Sequence, residues 1–194
     1  MPSRTTGPVP SSRGRRTRAF AATIGDGRTV DIEPLAAGAA VTAFGAIGRT
    51  VARLAALDSV DAVQLGVSVP AAWLARVPGD PPLEAGLAWY TLLAGAPETA
   101  AGEVRLASSA ARLGLGPMLL DTLVLAATER GVTRLTVRLA EESDDYLPAL
   151  GRYRARFTSH GGGILTAHLS LGTGARRFHW SGLHRRVTGP VDAV

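Results

Sequence analysis

The chain has 194 residues, of which 46% are hydrophobic and 19% charged, a composition that excludes an intrinsically disordered protein and fits one well-buried domain. Cysteine and lysine are both absent, which excludes disulfides, thiolate metal sites, cysteine nucleophiles and Schiff bases on lysine. The formal net charge of +5 is unevenly distributed: residues 1–18 carry +5, residues 19–150 carry −6, residues 151–191 carry +7, and Asp192 brings the total back to +5.

The N-terminal segment, residues 1–18, is rich in arginine, proline, serine and glycine, a composition that predicts a disordered basic tail. The rest of the chain, residues 19–194, is predicted to form a single domain. No stretch reaches the roughly 20 uninterrupted apolar residues of a membrane-spanning helix, and the N-terminus lacks the apolar core of a secretory signal. The absence of lysine and asparagine, which A-rich codons encode, indicates a GC-rich genome. We therefore expect a bacterial, cytoplasmic protein with no membrane partner.

The first predicted elements are a strand and an alanine-rich helical region. The strand is Thr29–Glu33, in which apolar and polar residues alternate between a Gly-Asp-Gly turn and Pro34. From residue 35 to residue 57, apolar residues recur at helical spacing. Gly45 and Gly48 favour a pair of helices or a kinked helix over one long helix.

Three further strands and one short helix are predicted before the next glycine-rich loop. Alternation predicts the second strand at Val63–Val69, and aromatic and leucine residues predict the third at Leu83–Leu93. The alanine-rich segment Ala71–Val77 between them is predicted to form a short helix. A turn at Gly95–Glu98 then leads to the fourth strand, Gly102–Ser108.

A glycine-rich loop, Ala111–Pro117, separates the fourth strand from the clearest helix of the sequence, Met118–Arg130. Its two glycines let the backbone turn tightly and let a ligand approach, and Pro117 suits the first helical position. The N–H groups of a first helical turn have no intrahelical partner and lie at the positive end of the helix dipole. The loop is therefore predicted to bind an anion, usually a phosphate group, and the alternative is a tight turn without a ligand.

The remaining predicted elements are a fifth strand, a helix and two closing strands. Val132–Leu139 alternates, with its leucine and valine side chains on one face. Ser143 can cap a helix that runs to about Phe157, and alternation predicts the closing strands at Ile164–Leu171 and Arg176–Leu183. Strands and helices mixed in this order predict an α/β (α+β) fold.

This order of elements, with Arg112-Leu-Gly-Leu-Gly116 after the fourth strand, resembles the GNAT superfamily of N-acetyltransferases. The resemblance covers residues 24–183 and implies a mixed, mostly antiparallel central sheet flanked by helices. It also implies an acyl-CoA co-substrate such as acetyl-CoA, an amine acceptor and the homodimers that are common among relatives. In that family the loop binds the CoA pyrophosphate through backbone N–H groups, and the edge of the fourth strand pairs with the pantetheine arm. The implied cofactor-binding residues are Leu106, Ala107, Ser108, Arg112, Leu113, Gly114, Leu115 and Gly116.

The same resemblance implies two catalytic residues. Glu103 lies on the fourth strand, where many relatives place a glutamate that takes a proton from the amine, usually through water. Tyr153 is a candidate for the tyrosine that protonates the leaving thiolate, and Tyr146 is a second candidate. The alternatives are a solvent-facing Glu103 paired across strands with an arginine, and structural tyrosines with the ring in the core and the hydroxyl at its rim.

The other residues with reactive side chains do not form known catalytic patterns. The four histidines have no metal-ligand spacing, so no metal is expected. Ser108 and Ser109 lack the Gly-x-Ser-x-Gly elbow of serine hydrolases. Trp73, Trp89 and Tyr90 either line an acceptor or acyl pocket or pack in the core.

The sequence departs from the family pattern at three places, and these departures motivate an alternative function. Ala111 stands where the loop commonly opens with Gln or Arg, no asparagine follows the fifth strand, and the closing Gly-Phe of the last helix is Arg156-Phe157. The leading hypothesis is N-acyl transfer from acyl-CoA to an amine, and the alternative is a catalytically inactive CoA-binding or regulatory module. A third hypothesis gives the function to the arginine-rich tail, docked on nucleic acid or an acidic partner. Nucleic acid is not favoured, because no aromatic residues interleave with the arginines.

Overall fold

The residues that the structure describes form an eight-stranded sheet. The structure is a computed structural model, and it describes residues 19–35, 41, 43–56, 71–140, 146–159 and 163–172. The strands are β1 (Phe20–Thr23), β2 (Thr29–Pro34), β3 (Ala71–Val77), β4 (Leu83–Leu93), β5 (Ala96–Leu106), β6 (Arg134–Ala140), β7 (Arg156–Ser159) and β8 (Ile164–Ser170). Their order across the sheet is β1-β2-β3-β4-β5-β6-β8-β7. All neighbours are antiparallel except β5 and β6, which confirms the predicted mixed, mostly antiparallel sheet.

Helices cover both faces of this sheet. They are α1 (Gly45–Ala56), α2 (Leu115–Glu129) and α3 (Tyr146–Arg152). On one face, the α1 cluster consists of Val41, Phe44, Val51, Ala72, Leu74 and Leu87. On the other face, α2 and α3 bury a larger core that includes Leu119, Leu123, Leu150, Ile32, Tyr90 and Val137. None of the helices in the described ranges is both long and apolar enough to cross a bilayer.

Helix α2 begins three residues before the predicted Met118–Arg130. Gly114 precedes it with a φ of 78°, a left-handed conformation in which a Cβ would be strained. Pro117 is therefore the third helical residue and not the first. It still lies in the first turn, where its missing N–H breaks no helical hydrogen bond. Gly131, with a φ of 83°, follows the end of the helix as predicted.

Residues Ala71–Val77 form β3, so the predicted short helix is wrong. Residues 72–75 are all buried, because helices cover both faces of the sheet at this point. A strand buried on both faces lacks polar alternation, and alanine is a strong helix former, so the local pattern favoured a helix. Pairing with β2 and β4 determines the strand instead.

Helix α3 ends at Arg152, so the predicted helix reaching about Phe157 is too long, and Phe157 lies in β7. The N–H of Ala155 donates to the carbonyl of Leu150 at 3.1 Å, and this bond closes the last turn. Arg154, inside that turn, has a φ of 49°. Helices that end in this way commonly have a glycine at this position, so an arginine there gives no sequence signal for the end of the helix.

Two strands, β1 and β5, also differ from prediction. β1 was not predicted, and it forms a hairpin with β2 around the expected Gly-Asp-Gly turn. β5 begins at Ala96, within the predicted turn Gly95–Glu98 and six residues before the predicted fourth strand.

Some predictions lie outside the described residues: the tail at residues 1–18, the strands Val63–Val69 and Arg176–Leu183, and the cap at Ser143.

Candidate functional site

The parallel strands β5 and β6 separate beside the glycine-rich loop. They pair from Thr99 with Arg134 to Glu103 with Arg138. Beyond that point β5 continues to Leu106 paired with β4, and β6 continues paired with β8, with no further pair between β5 and β6 among their described residues. Backbone N–H and C=O groups of both strands therefore face an opening and not each other. An extended ligand can pair with such groups as an added strand does.

The loop between β5 and α2 follows the open end of β5. It begins with a short 3-10 turn, Ser108–Ala110, and then reverses through Arg112 and Gly114, whose φ values are 64° and 78°. Gly114 offers no side chain to cap the helix, and the N–H groups of the first turn of α2 have no intrahelical partner. These N–H groups and the helix dipole make an electropositive site next to the opening.

Backbone hydrogen bonds hold this loop in place. The N–H of Ala107 donates to the carbonyl of Ala85 in β4 at 2.9 Å, and the N–H of Gly25 donates to the carbonyl of Leu113 at 2.8 Å. Gly25 belongs to the turn between β1 and β2, so the N-terminal hairpin braces the loop. This brace was missed, because no local pattern links the two turns. The eight predicted cofactor-binding residues lie together at this corner, at the end of β5 and the start of α2.

Glu103 is the last residue of β5 that pairs with β6, so it lies at the point where the strands separate. It shares a face of the sheet with its cross-strand neighbour Trp89, which packs against the α1 cluster. Its side chain is 12% exposed, and its carboxylate accepts a hydrogen bond from Nε of Arg105 at 3.0 Å. A mostly covered carboxylate at this point can accept a proton from a group bound in the opening. The alternative of a solvent-facing glutamate paired across strands differs from this geometry, because Glu103 is mostly covered and Arg105 lies two residues along the same strand.

Tyr146 lies against the first turn of α2. It is 1% exposed, and a Cβ on Gly116 would lie 2.7 Å from both its Cζ and its hydroxyl oxygen. Residue 116 must therefore be glycine for this ring to fit, so the second glycine of the loop has a packing role. Of the two candidate tyrosines, Tyr146 is the one whose hydroxyl lies beside the glycine-rich loop.

Tyr153 follows α3, and its hydroxyl donates to Oδ1 of Asp121 at 2.5 Å. Arg152 donates to both oxygens of the same carboxylate, at 2.9 and 3.1 Å. Burial, and then the Asp121 carboxylate, raise the pKa of Tyr153 above its ordinary value of 10.0. Asp121 lies about 9 Å along the helix axis from the first residue of α2. In this geometry Tyr153 joins α3 to α2, and its role as the thiolate acid stays a prediction.

Replacing Tyr153 with phenylalanine should lower the free energy of unfolding at pH 7 by about 1.5–3 kcal/mol, because a hydrogen bond to a charged group is lost while the ring remains. The variant should also be less sensitive to alkaline pH. The folded protein holds the phenol proton more tightly than the unfolded chain, so this stabilising contribution is lost as the pH rises above 10. Chemical denaturation at pH values from 7 to 11 measures both effects.

The composition makes this titration simple to interpret. Lysine and cysteine are absent, so tyrosine is the one side-chain type of this sequence whose ordinary pKa lies near 10. Tyr90, whose pKa is also raised by burial, remains in the variant and retains its own alkaline effect. An unchanged slope above pH 10 would contradict the assignment. A loss of acyl transfer at unchanged stability would instead support proton donation by Tyr153.

The three aromatic residues considered for a pocket have different surroundings. Trp73 and Tyr90 stack in the core with ring centroids 6.2 Å apart, and the Tyr90 hydroxyl donates to the carbonyl of Ala126 at 3.1 Å. Trp89 is half-buried on the face that carries Glu103. Trp89 is therefore the aromatic residue of this group that adjoins the opening.

The structure describes one of the four histidines, His168 on β8. Its Nδ1 lies 3.3 Å from the hydroxyl oxygen of Thr136. His160, His179 and His184 lie outside the described residues. Within the ranges that the structure describes, no three His, Asp or Glu side chains are grouped as a metal site requires.

Comparisons with known proteins give matches in structure only. No protein-family model and no curated protein matches the sequence. The GNAT domain of S. lividans PAT superposes with a TM-score of 0.52 at 14% identity, over 78% of this chain and 96% of that one. A cAMP-binding acyltransferase from Mycobacterium smegmatis superposes with a TM-score of 0.52 at 13% identity, over 79% of this chain and 47% of that one.

These similarities establish the fold. The chain has a GNAT-like fold, as the order of its predicted elements implied. The match covers 96% of the S. lividans domain but only 47%, about half, of the M. smegmatis protein.

Proposed function

We propose that this protein transfers an acyl group from acyl-CoA to an amine, with acetyl-CoA as the donor. The observation that carries the proposal is the end of the β5–β6 ladder at Glu103, a few residues before a glycine-rich loop and the N-terminus of α2. The GNAT-like fold supports the same assignment, because the similar structures include a GNAT domain and an acyltransferase.

The residues at this corner fit a ligand that combines amide groups with a pyrophosphate. The free edge of β5 at Leu106 and the following Ser108 offer backbone groups to the amides of a pantetheine arm, while the N–H of Ala107 between them donates to β4. The backbone N–H groups of residues 112–116 are donors for a pyrophosphate, and Arg112 adds positive charge. Its exposure and left-handed backbone place that charge on the loop surface.

A bound acyl-CoA supplies an activated thioester carbonyl for attack by the amine. Glu103 accepts the proton that the amine must lose, directly or through one water, from its place where β5 and β6 separate. For the proton that the thiolate takes up, Tyr146 is better placed than Tyr153. The Tyr146 hydroxyl lies at the first turn of α2, whereas the Tyr153 hydroxyl donates to Asp121.

Thermal unfolding with and without acetyl-CoA tests the donor assignment. At about one hundred times its dissociation constant, acetyl-CoA should raise Tm by about 5–10 °C. The absence of any shift at millimolar acetyl-CoA would contradict the proposal. Turnover can be followed with a thiol reagent in the presence of a panel of amines. Because the chain holds no cysteine, every thiol detected is released CoA.

A CoA-binding module without turnover is the second candidate, and the ion pair between Glu103 and Arg105 favours it. A carboxylate bound to a guanidinium is less available to an amine. This candidate predicts an acetyl-CoA shift in Tm but no thiol release with any amine. It also predicts that a Glu103→Gln variant behaves as the wild type in both measurements.

A further inference from the structure

A second cavity lies at the closed end of the β5–β6 ladder, away from the acyl-CoA opening. Its volume is about 700 Å³, and its lining includes Thr99 and Arg134, the first pair of the ladder. Glu103 and Arg138 lie four positions further along the two strands, which places them about 13 Å from this pair. The cavity is a broad depression open to solvent and not an enclosed pocket.

The cavity is rich in positive charge. Arg134, Arg154 and Arg156 line it together with His168. Glu98 accepts a hydrogen bond from Arg134 at 2.9 Å and compensates one of the three guanidinium charges. Within the described ranges, no carboxylate forms an ion pair with Arg154 or Arg156.

The chain brings both of these arginines to the same cavity. Tyr153 and Ala155 pack against the core, whereas Arg154 in the turn after α3 and Arg156 at the start of β7 both line the cavity. Arg156 also pairs across the strands with His168.

Hydroxyl groups complete the lining. Thr136 pairs across the strands with His168, and Ser170 pairs with Arg134, so side chains from β6 and β8 form adjoining rows. Both Thr136 and Ser170 line the cavity. Guanidinium groups combined with hydroxyl donors are the side chains that commonly bind phosphate oxygens.

Backbone strain at Arg154 is an independent observation that points to function. Its φ of 49° lies in the left-handed region, at a helix end where glycine is the favoured residue. A side chain there has a steric cost that glycine would avoid. Strained residues of this kind persist at ligand sites, where the side chain is needed. Here the strained residue is one of the two arginines without an ion pair.

We propose that this cavity is a second anion site, separate from the acyl-CoA opening, and that it binds a phosphorylated small molecule. Arg154 and Arg156 hold the phosphate group, and the hydroxyl groups of Thr136 and Ser170 contribute further hydrogen bonds. The volume beyond the phosphate accommodates the rest of the molecule.

The test measures Tm as inorganic phosphate or pyrophosphate is added in place of chloride at constant ionic strength. Phosphate at ten times its dissociation constant should raise Tm of the wild type by about 3–5 °C. The shift should fall by at least half in Arg156→Gln and in Arg154→Gly. Without phosphate, Arg154→Gly should unfold at or above the temperature of the wild type, because the strain is relieved while the fold is kept.

Two further variants separate this site from other effects. Arg49→Gln removes an exposed arginine from α1, and it should keep the full shift if net charge is not the cause. Gly114→Glu removes the glycine-rich loop as an anion site, so it should retain the part of the shift that Arg156→Gln and Arg154→Gly lose. Equal shifts in all variants, no shift in the wild type with either anion, or a shift lost only in Gly114→Glu would each overturn the proposal.

Discussion

Replacing Gly114 with glutamate should abolish the stabilisation of this protein by acetyl-CoA. Two effects act together at this position. Gly114 has a φ of 78°, so a residue with a Cβ shifts the turn that presents the first N–H groups of α2. The new carboxylate also places negative charge beside the proposed pyrophosphate site. We expect the Tm shift of about 5–10 °C to fall below detection at the same acetyl-CoA concentration.

Gly95 provides a matched control for the backbone cost. It lies between β4 and β5 with a φ of 75°, and a Cβ there would meet no atom within 4 Å, as is also true at Gly114. Gly95→Glu therefore carries the same conformational cost and the same change in charge, away from the loop. Both variants should unfold at similar, lower temperatures, and only Gly95→Glu should retain the acetyl-CoA shift. Equal retention by both variants would contradict the assignment of the loop.

The parts of the site that are contiguous in sequence could be predicted. A strand end, a glycine-rich loop and a helix start form one local unit, so the chemistry of residues 106–117 follows from glycine conformations and unpaired N–H groups. The position of Glu103 on its strand could be predicted from the same unit. The strongly periodic helix α2 was also found, with its start displaced by three residues.

The opening itself could not be predicted, because it depends on the pairing of two strands with partners that are distant in sequence. Leu106 pairs with Gly86, and Leu139 pairs with Leu165, and these choices separate β5 from β6. The ring of Tyr146 against Gly116 is likewise a contact across 30 residues. No local pattern encodes such pairs, because they result from the packing of the whole domain.

The misassigned elements follow from the same limit. The alanine-rich segment of β3 has a local preference for helix, which burial on both faces of the sheet overrides. Arg154 ends α3 in a conformation that usually requires glycine, so the helix end carried no signal. That exception coincides with the proposed second anion site. A departure from local rules at this point is expected if the arginine is kept for a ligand.

Replacing Glu103 with glutamine should lower kcat for acyl transfer by about 10²–10⁴ while leaving acetyl-CoA binding unchanged. The amide has nearly the same shape as the carboxylate but cannot accept a proton from the amine. The donor, in contrast, is held by backbone groups of the loop, which the substitution does not alter. The lost ion pair to Arg105 costs little stability, because Arg105 is about half exposed, at 49%. Thiol release and the acetyl-CoA shift in Tm measure the two effects separately.

Arg105→Gln is the matched control, because it removes the same ion pair and keeps the carboxylate. If Glu103 is the base, Arg105→Gln should retain turnover within a few-fold of the wild type, since the carboxylate is freed and not lost. Equal losses in both variants would assign the effect to the ion pair and contradict a role for Glu103 as the base. Thiol release from Glu103→Gln at the wild-type rate would contradict it as well. The two variants therefore distinguish a catalytic carboxylate from a structural one at the point where β5 and β6 separate.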